Sequence, residues 1–337
     1  MAWKKEIITN DIGEEVQAQA PVIISASRAT DIPAYYAEWF FNRLEKGYSA
    51  WVNPFSGQKS YVSYSNTRLI VFWSKNPGPL LPYLDILKEK GINRYIQFTI
   101  NDYEDEQLEK NVPPLDERIE TFRELTEKLG KGKVLWRFDP LVLGGGITTD
   151  ILLRKVEYVG DRLYGYADKL VMGFLNVASY KKVQKNLAPF EYRELTEEEK
   201  HLVASGISGL NSKWGYELGM CSQTGDFERY GIVPNRCIDD KLIIKHFSHD
   251  AALMEHLGVK VAGPDLFGAG PGLIIPQVKK DPGQRQVCGC IASKDIGQYN
   301  TCIHKCEYCY ANISTGKADS NYNAHIHNPG SETIIGG

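Results

Sequence analysis

Seven cysteines are spread unevenly over 337 residues, and five of them fall between Cys288 and Asn312. In the run Cys302-Ile-His-Lys-Cys306-Glu-Tyr308-Cys309, three thiols have the spacing C-x3-C-x2-C. Thiolates are soft ligands suited to iron-sulfur clusters and to zinc, and three spaced in this way can wrap a compact cluster from one loop. Zinc sites more often use two C-x2-C pairs joined by a long spacer, and this chain has a single C-x2-C, so the pattern points first to a [4Fe-4S] cluster. Three ligands on a cubane leave one iron free to bind a substrate or cosubstrate. The remaining thiols, Cys221, Cys237, Cys288 and Cys290, would complete a ligand set for a second cluster or for zinc if the fold gathers them. In the other arrangement, Cys288 or Cys290 supplies a fourth ligand to the first cluster and closes its open corner. Cys221 and Cys237 taken singly also read as ordinary buried thiols.

A second group of chemically capable residues recurs at the ends of apolar runs. Arg28 and Asp31 follow Val22 to Ser25, Lys75 and Asn76 follow Arg68 to Phe72, and Asn101 follows Tyr95 to Ile100. Arg137 and Asp139 end the run from Lys133, Asn176 follows Lys169 to Leu175, and Cys221 follows Trp214 to Met220. If these runs are parallel strands, their carboxyl ends are where an α/β barrel or open sheet assembles its site. Asp31, Asn76, Asp102 and Thr148 also suit helix capping or turns. Lys75 and Arg137 are cations at the edge of apolar strands, costly to bury without a partner. Arg137 with Asp139 reads either as a structural ion pair or as a binding site for an anionic group. Trp73, Trp136 and Tyr308 are candidates to line a pocket.

The elements that must position these groups alternate. Amphipathic segments lie at Ala34 to Lys46, Pro79 to Lys90, Asp116 to Leu129, Thr148 to Tyr164, Thr196 to Ile207 and Asp239 to Leu257, with a weaker strand at Val259 to Ala262. Strand-helix alternation implies parallel βαβ units and predicts a TIM-like β/α barrel, full or partial, over residues 1–262. Residues 263–337 read as a cysteine-rich segment folded over the barrel mouth, entered through a hinge at Gly268 to Gly272. The stretches from Gly47 to Thr67 and from Leu187 to Leu195 look like insertions, and His325 and His327 lie in a polar tail that reads as solvated or disordered. His304, inside the cysteine loop, would either tune a cluster by hydrogen bonding or face water.

Composition supplies the setting. With 42% apolar residues and a formal charge of −3, the chain can bury a large core, and nothing global draws it to nucleic acid. Its N-terminus lacks the apolar core of a secretory signal, and no run of about eighteen apolar residues predicts a membrane span. The expectation is a cytoplasmic protein whose cysteines meet a reducing environment and serve as ligands rather than disulfides.

The loop from Cys302 to Asn312, with its Tyr-Cys-Tyr-Ala, resembles the cluster loop of radical S-adenosylmethionine enzymes, in particular relatives of spore photoproduct lyase. That resemblance implies a [4Fe-4S] cluster whose open iron chelates S-adenosylmethionine and whose reduction generates a 5′-deoxyadenosyl radical. It also implies a small-molecule substrate and a one-electron reductant protein such as ferredoxin or flavodoxin. Two features depart from the pattern: the cysteines follow the last strand rather than the first, and Gly144 to Gly146 lacks the glutamate of the usual Gly-Gly-Glu. Over most of its length the chain is also similar to the family called domain of unknown function 1848, through ISASRATDIP (24–33), FWSKNP (72–77), WRFDP (136–140), CIDD (237–240) and the cysteine stretch.

The leading expectation is therefore a radical S-adenosylmethionine-type enzyme. In it Cys302, Cys306 and Cys309 hold the cluster, Arg28, Asp31, Lys75, Arg137 and Asp139 handle substrate or cosubstrate, and Tyr308, Asn76 and Asn101 contribute to cofactor binding. The alternatives are a fully ligated cluster for electron transfer or structure, and a zinc-bound barrel hydrolase.

Overall fold

A strand that is apolar at every position has two faces to cover, and this requirement sets the architecture. In the computed structural model, which describes residues 3–53, 56–178, 180–261, 273–274, 278 and 280–337, the chain begins with a hairpin of β1 (Lys4–Thr9) and β2 (Glu15–Ala20). It then enters a larger sheet at β3 (Ile23–Ala26), passes through α1 (Ile32–Tyr35) and α2 (Ala37–Lys46), and returns to the hairpin as β4 (Tyr48–Val52) and β5 (Lys59–Ser63). The larger sheet resumes with β6 (Leu69–Ser74), α3 (Leu84–Glu89), β7 (Asn93–Thr99), α4 (Leu115–Leu129), β8 (Val134–Leu141), α5 (Thr149–Leu163) and β9 (Lys169–Phe174). Next come α6 (Lys181–Leu187), α7 (Glu197–Asn211), β10 (Glu217–Met220), β11 (Ile232–Pro234), α8 (Asp240–Phe247) and α9 (Ala251–His256). A two-residue pair, β12 (Lys260–Val261) and β13 (Leu273–Ile274), precedes β14 (Lys294–Asp295) and α10 (Thr315–His327).

Eight strands form one all-parallel sheet in the order β11-β10-β9-β8-β7-β6-β3-β14. From β3 to β11 spatial order follows chain order, so each strand lies beside the one before it in the sheet. Among the described residues no ladder joins β11 to β14.

The two faces are covered by different helices. Ile24, Ile70, Phe72, Ile96, Phe98, Trp136 and Phe138 share a core with Phe40, Phe122, Leu152 and Val156 of α2, α4 and α5. Alternation sends Ile23, Leu69, Val71, Tyr95 and Leu135 to the opposite face, where Ile243, Phe247 and Leu253 of α8 and α9 meet them. Helix patterning explains the first layer: α4 buries Ile119, Phe122, Leu125 and Leu129, and α5 buries Leu152, Val156, Val159 and Leu163, each spaced by three or four residues. Thr148 caps α5 by accepting from the Ile151 amide, and Thr196 with Glu199 forms a capping box on α7.

Several expectations change. Gly47 to Thr67, which looked like an insertion, carries β4 and β5 of a second, four-stranded sheet ordered β1-β2-β5-β4. Of the strand foreseen at Val259 to Ala262, Lys260–Val261 pairs antiparallel with β13 outside the large sheet, and Ala262 lies outside the described residues. The helix foreseen from Asp239 to Leu257 is two helices, because the Asp250 carboxylate accepts from the Leu253 amide at 3.1 Å and caps α9. The polar tail is α10, with His325 buried against Tyr36 at 4.7 Å between ring centres, while His327 is exposed. The hinge foreseen at Gly268 to Gly272 lies outside the described residues. No helix among those described is long and apolar enough to cross a membrane.

Candidate functional site

Residues in the carboxyl-terminal halves of β3, β6, β8, β9 and β10 or just beyond their ends surround a cavity of about 360 Å³. They include Arg28 and Asp31 after β3, Lys75 after β6, Arg137 and Asp139 of β8, Asn176 after β9, and Cys221 after β10. All seven cysteines line this cavity too. None is in a disulfide.

The cysteines divide into two sets by their partners. Cys221 and Cys237 stand with sulfurs 3.6 Å apart, and the Cys290 sulfur accepts from the amides of Cys237 and Ile238 at 3.2 and 3.4 Å. Cys288 lies against Cys290, whose hydrogen bond pulls the Cys288 thiol down to about 6. The thiols of Cys221, Cys237 and Cys290 are pushed up, that of Cys221 first by its hydrogen bond with Cys237, since crowded sulfurs resist ionising together. Arg137 sits over this set, its Nη1 donating to the Cys237 sulfur at 3.1 Å and to Gln97 Oε1 at 3.2 Å, and its Nη2 to Asp139. Burial works against its charge, but Cys237 and Asp139 outweigh that and hold its pKa well above the ordinary value. Gln97 and Tyr95, fully buried in β7, both donate to the Cys237 carbonyl, at 2.8 and 2.7 Å, and so fix the start of the turn into α8.

Cys302, Cys306 and Cys309 form the other set. Burial raises the thiols of Cys302 and Cys306, and charge on neighbouring members of the same loop adds to the rise. The loop is tied down from both ends of its run. His304, almost fully buried, hydrogen-bonds through Nε2 to the Asp31 carboxylate at 2.7 Å and through Nδ1 to the Tyr35 hydroxyl at 2.8 Å. Asp31 also accepts from Ser74 Oγ, the Lys75 amide and the Ala34 amide, so one carboxylate caps α1 and joins β3, β6 and the cysteine loop. Farther along, Tyr308 donates to Glu109, which also takes Lys75 Nζ at 2.7 Å and Asn101 Nδ2 at 2.8 Å. Glu109 is buried, and burial opposes its ionisation; Lys75 and Arg118 more than compensate and keep its carboxyl below the usual range.

Among the described residues no three His, Cys, Asp or Glu side chains already converge at the separations of a single-ion site. The donor chemistry of the Cys302 loop nonetheless suits a cluster: three buried or half-buried thiols on eight consecutive residues face one cavity, and cluster thiolates each bind a different iron.

A family model described as a domain of unknown function (DUF1848) matches residues 23–311. The chain belongs to this family. The match runs from the first residue of β3 to two residues past Cys309, so in this DUF1848 protein it takes in every cysteine and every strand of the large sheet. No curated protein and no solved structure matches the chain.

Not every residue singled out from the DUF1848 sequence reaches the cavity. Arg28, Asp31, Lys75, Arg137, Asp139 and Tyr308 do, and Trp73 lines it as well, with the Arg28 guanidinium 4.8 Å above its ring. Trp136 does not: Arg137 points to the cavity face, so its neighbour points into the opposite core, where the Trp136 indole donates to the Ile100 carbonyl. Asn76 accepts from the Gly78 amide at 3.3 Å in a turn, and Asn101 stands one layer behind the cavity, holding Glu109 and Tyr308. Glu109 is the residue that sequence reasoning passed over. It lies in the acidic run from Asp102 to Glu109, where nothing in residue type separates it from four other carboxylates. Asp295 of β14 was passed over as well; it binds Ser25 Oγ at 2.6 Å and the Arg28 amide at 3.0 Å.

Proposed function

We propose that this DUF1848 protein is an iron-sulfur enzyme of radical S-adenosylmethionine type, with Cys302, Cys306 and Cys309 as the three ligands of a [4Fe-4S] cluster. The observation that carries the reading is the division of the cysteines. Cys288 and Cys290 keep company with Cys221 and Cys237, which leaves the C-x3-C-x2-C loop with no nearby fourth thiol among its partners. A cluster held in this way supplies a reducible centre with one iron open to the amino and carboxylate groups of S-adenosylmethionine.

The chain's own groups then take distinct parts. Lys75 is committed to Glu109 and Tyr308, and Arg137 to Cys237, Gln97 and Asp139, so both shape the wall more than they bind ligand. Arg28 is held on one side, its Nη1 reaching Ser25 Oγ at 3.3 Å and Asp295 at 3.8 Å and its charge drawn to Cys290, but its Nη2 is buried at the cavity wall without a close hydrogen-bond partner, ready for an anionic group of substrate or cosubstrate. Asp31 and His304 hold the loop in place. Tyr180 and Tyr310, stacked 5.2 Å apart with Arg285 over both rings, offer an aromatic rim where a small-molecule substrate would enter.

The chain-order winding of the large sheet supports a TIM-type barrel whose β11–β14 seam stays open. In that reading residues 263–337 act as the segment that brings the cluster to the mouth. The setting proposed is the cytoplasm, with a ferredoxin- or flavodoxin-like protein as electron donor.

The test is product formation. Anaerobic, reconstituted protein reduced in the presence of S-adenosylmethionine is expected to yield 5′-deoxyadenosine, and Cys290→Ala should keep the terminal cluster while Cys306→Ala loses it. An intact cluster that yields no 5′-deoxyadenosine, with a paramagnetic signal unmoved by S-adenosylmethionine, would instead favour a fully ligated electron-transfer or structural cluster.

A further inference from the structure

We propose that Cys221, Cys237, Cys288 and Cys290 form a tetrathiolate site for one divalent zinc-type ion, separate from the Cys302 loop and structural in purpose. Three separate stretches of chain bring these thiols to one wall of the cavity: the residue after β10, the turn before α8, and the Cys-Gly-Cys of the carboxyl-terminal segment. Cys237, Cys288 and Cys290 are buried there.

Two of the four sulfurs are surrounded by donors. Cys290 Sγ receives the amides of Cys237 and Ile238, and Cys237 Sγ receives Arg137 Nη1 at 3.1 Å and Asn235 Nδ2 at 3.5 Å. A neutral thiol is a weak acceptor that carries its own proton and has one to give; sulfurs encircled by N–H groups are arranged as thiolates. Four thiolates in one buried place repel one another strongly unless a cation stands among them. Arg137 beside Cys237 and Arg28 beside Cys290 supply two positive charges, and a divalent ion supplies the remainder.

Spacing favours a single ion over a second cubane. Zinc holds each sulfur at about 2.3 Å, which sets tetrahedral sulfurs about 3.8 Å apart. Cys221 and Cys237 are 3.6 Å apart. In a cubane the two would bind different irons and stand well apart. Cys290 hydrogen-bonds with both Cys237 and Cys288, and turning a thiol from one staggered well to another, which moves its sulfur by roughly 3 Å, is the adjustment that would gather the four on one centre. Four protein thiolates leave no position for water, so this ion would not serve as a hydrolytic centre.

Its work would be to fasten the carboxyl-terminal segment to the sheet. Next to the site the Ile291 amide donates to the Ile238 carbonyl at 3.1 Å, and beyond it the chain runs directly into β14. An ion joining Cys221 and Cys237 to Cys288 and Cys290 would close a large loop and fix the point from which β14 and the Cys302 loop extend.

The test separates this site from the cluster by removing the cluster's ligands. The full chain carrying Cys302→Ser, Cys306→Ser and Cys309→Ser, purified anaerobically, should retain one equivalent of zinc and no iron. Replacing the zinc with cobalt should give the visible bands of a tetrahedral thiolate complex, and a further Cys237→Ser should weaken cobalt binding by at least roughly tenfold. If the triple variant does not fold, zinc analysis and zinc-edge X-ray absorption of the unaltered protein read the same site, with four sulfur neighbours expected. Iron retained in the triple variant with cluster absorbance would overturn the proposal, as would metal-free protein with a Cys221–Cys237 disulfide found by mass spectrometry. Neither result depends on whether the unaltered protein cleaves S-adenosylmethionine.

Discussion

Glu109 illustrates how much one buried carboxylate can organise. Its Oε1 accepts from Lys75, Asn101 and Tyr308, and its Oε2 lies 3.7 Å from Arg118 Nη1, all with the carboxylate shut away from solvent. Breaking a buried ion pair by removing one partner leaves an uncompensated charge, and the loss exceeds the net worth of the pair. Lys75→Met is therefore expected to cost about 3 kcal/mol, near the lower end for such a change because Arg118 remains. The double change Lys75→Met with Glu109→Gln should recover part of the loss, since the stranded charge is gone. Urea denaturation of the apo protein measures both; a single variant as stable as the parent would mean that Lys75 and Glu109 are not paired. Residue type alone marked Lys75 as a cation needing a partner. It could not say which of the neighbouring acids would be that partner, because only the fold turns Glu109 to Lys75 while Glu106 turns to Lys155.

At the level of elements, the cysteine loop is seated by β14 and the turn after it. β14 adds to the edge of β3, and Gly297 then presses so close to β3's exit that a Cβ at that position would overlap Ser27 Oγ. Gly297→Val should push the loop away from Asp31, lowering both the melting temperature and the iron content of reconstituted protein. Full iron loading with unchanged melting would show that the contact does not seat the loop. Helix α7 permits a prediction in pH. Its Glu199 carboxyl is held down to about 2 from 4.5, chiefly by hydrogen bonds from Arg193 and the Thr196 amide. A group whose pKa is depressed on folding stabilises above its unfolded value and loses that contribution as pH falls through the folded one. The stability difference between parent and Glu199→Gln should be full above pH 4.5 and fade toward pH 2. A difference that stays constant over that range would assign the effect to side-chain shape instead of charge. The Thr148 cap was readable in advance, as were α4 and α5, because helix caps and apolar spacing are local. The four-stranded second sheet was not: β1 and β2 meet β5 and β4 only after an excursion through β3 and two helices, so no local signal announces the pairing.

Across the whole molecule the carboxyl-terminal segment is built into the fold. Ile296 joins the main core, the Trp39 indole donates to the Ser331 carbonyl at 2.9 Å, Tyr48 reaches Glu332, and Thr333 bridges to Ala50 of the small sheet. A chain ended before Lys294 should consequently lose cooperative unfolding and bind hydrophobic dye, since it bares one side of β3 and strips Ile296 and Ile334 from the main core. A sharp, parent-like transition in the truncated chain would mean that residues 1–293 fold without it. The sequence by itself determined the alternating parallel strands, the helices of the first layer and the kinds of side chain gathered at strand ends, because these follow from periodicity, capping and residue chemistry over short spans. It also named every cysteine. Only the tertiary structure decided how they divide, setting Cys288 and Cys290 beside Cys221 and Cys237 and tying the Cys302 loop to Asp31 and Glu109. Thiols carry no mark of their partners in sequence; which sulfur meets which is fixed by strands and turns that bring together segments separated along the chain by whole strands and helices.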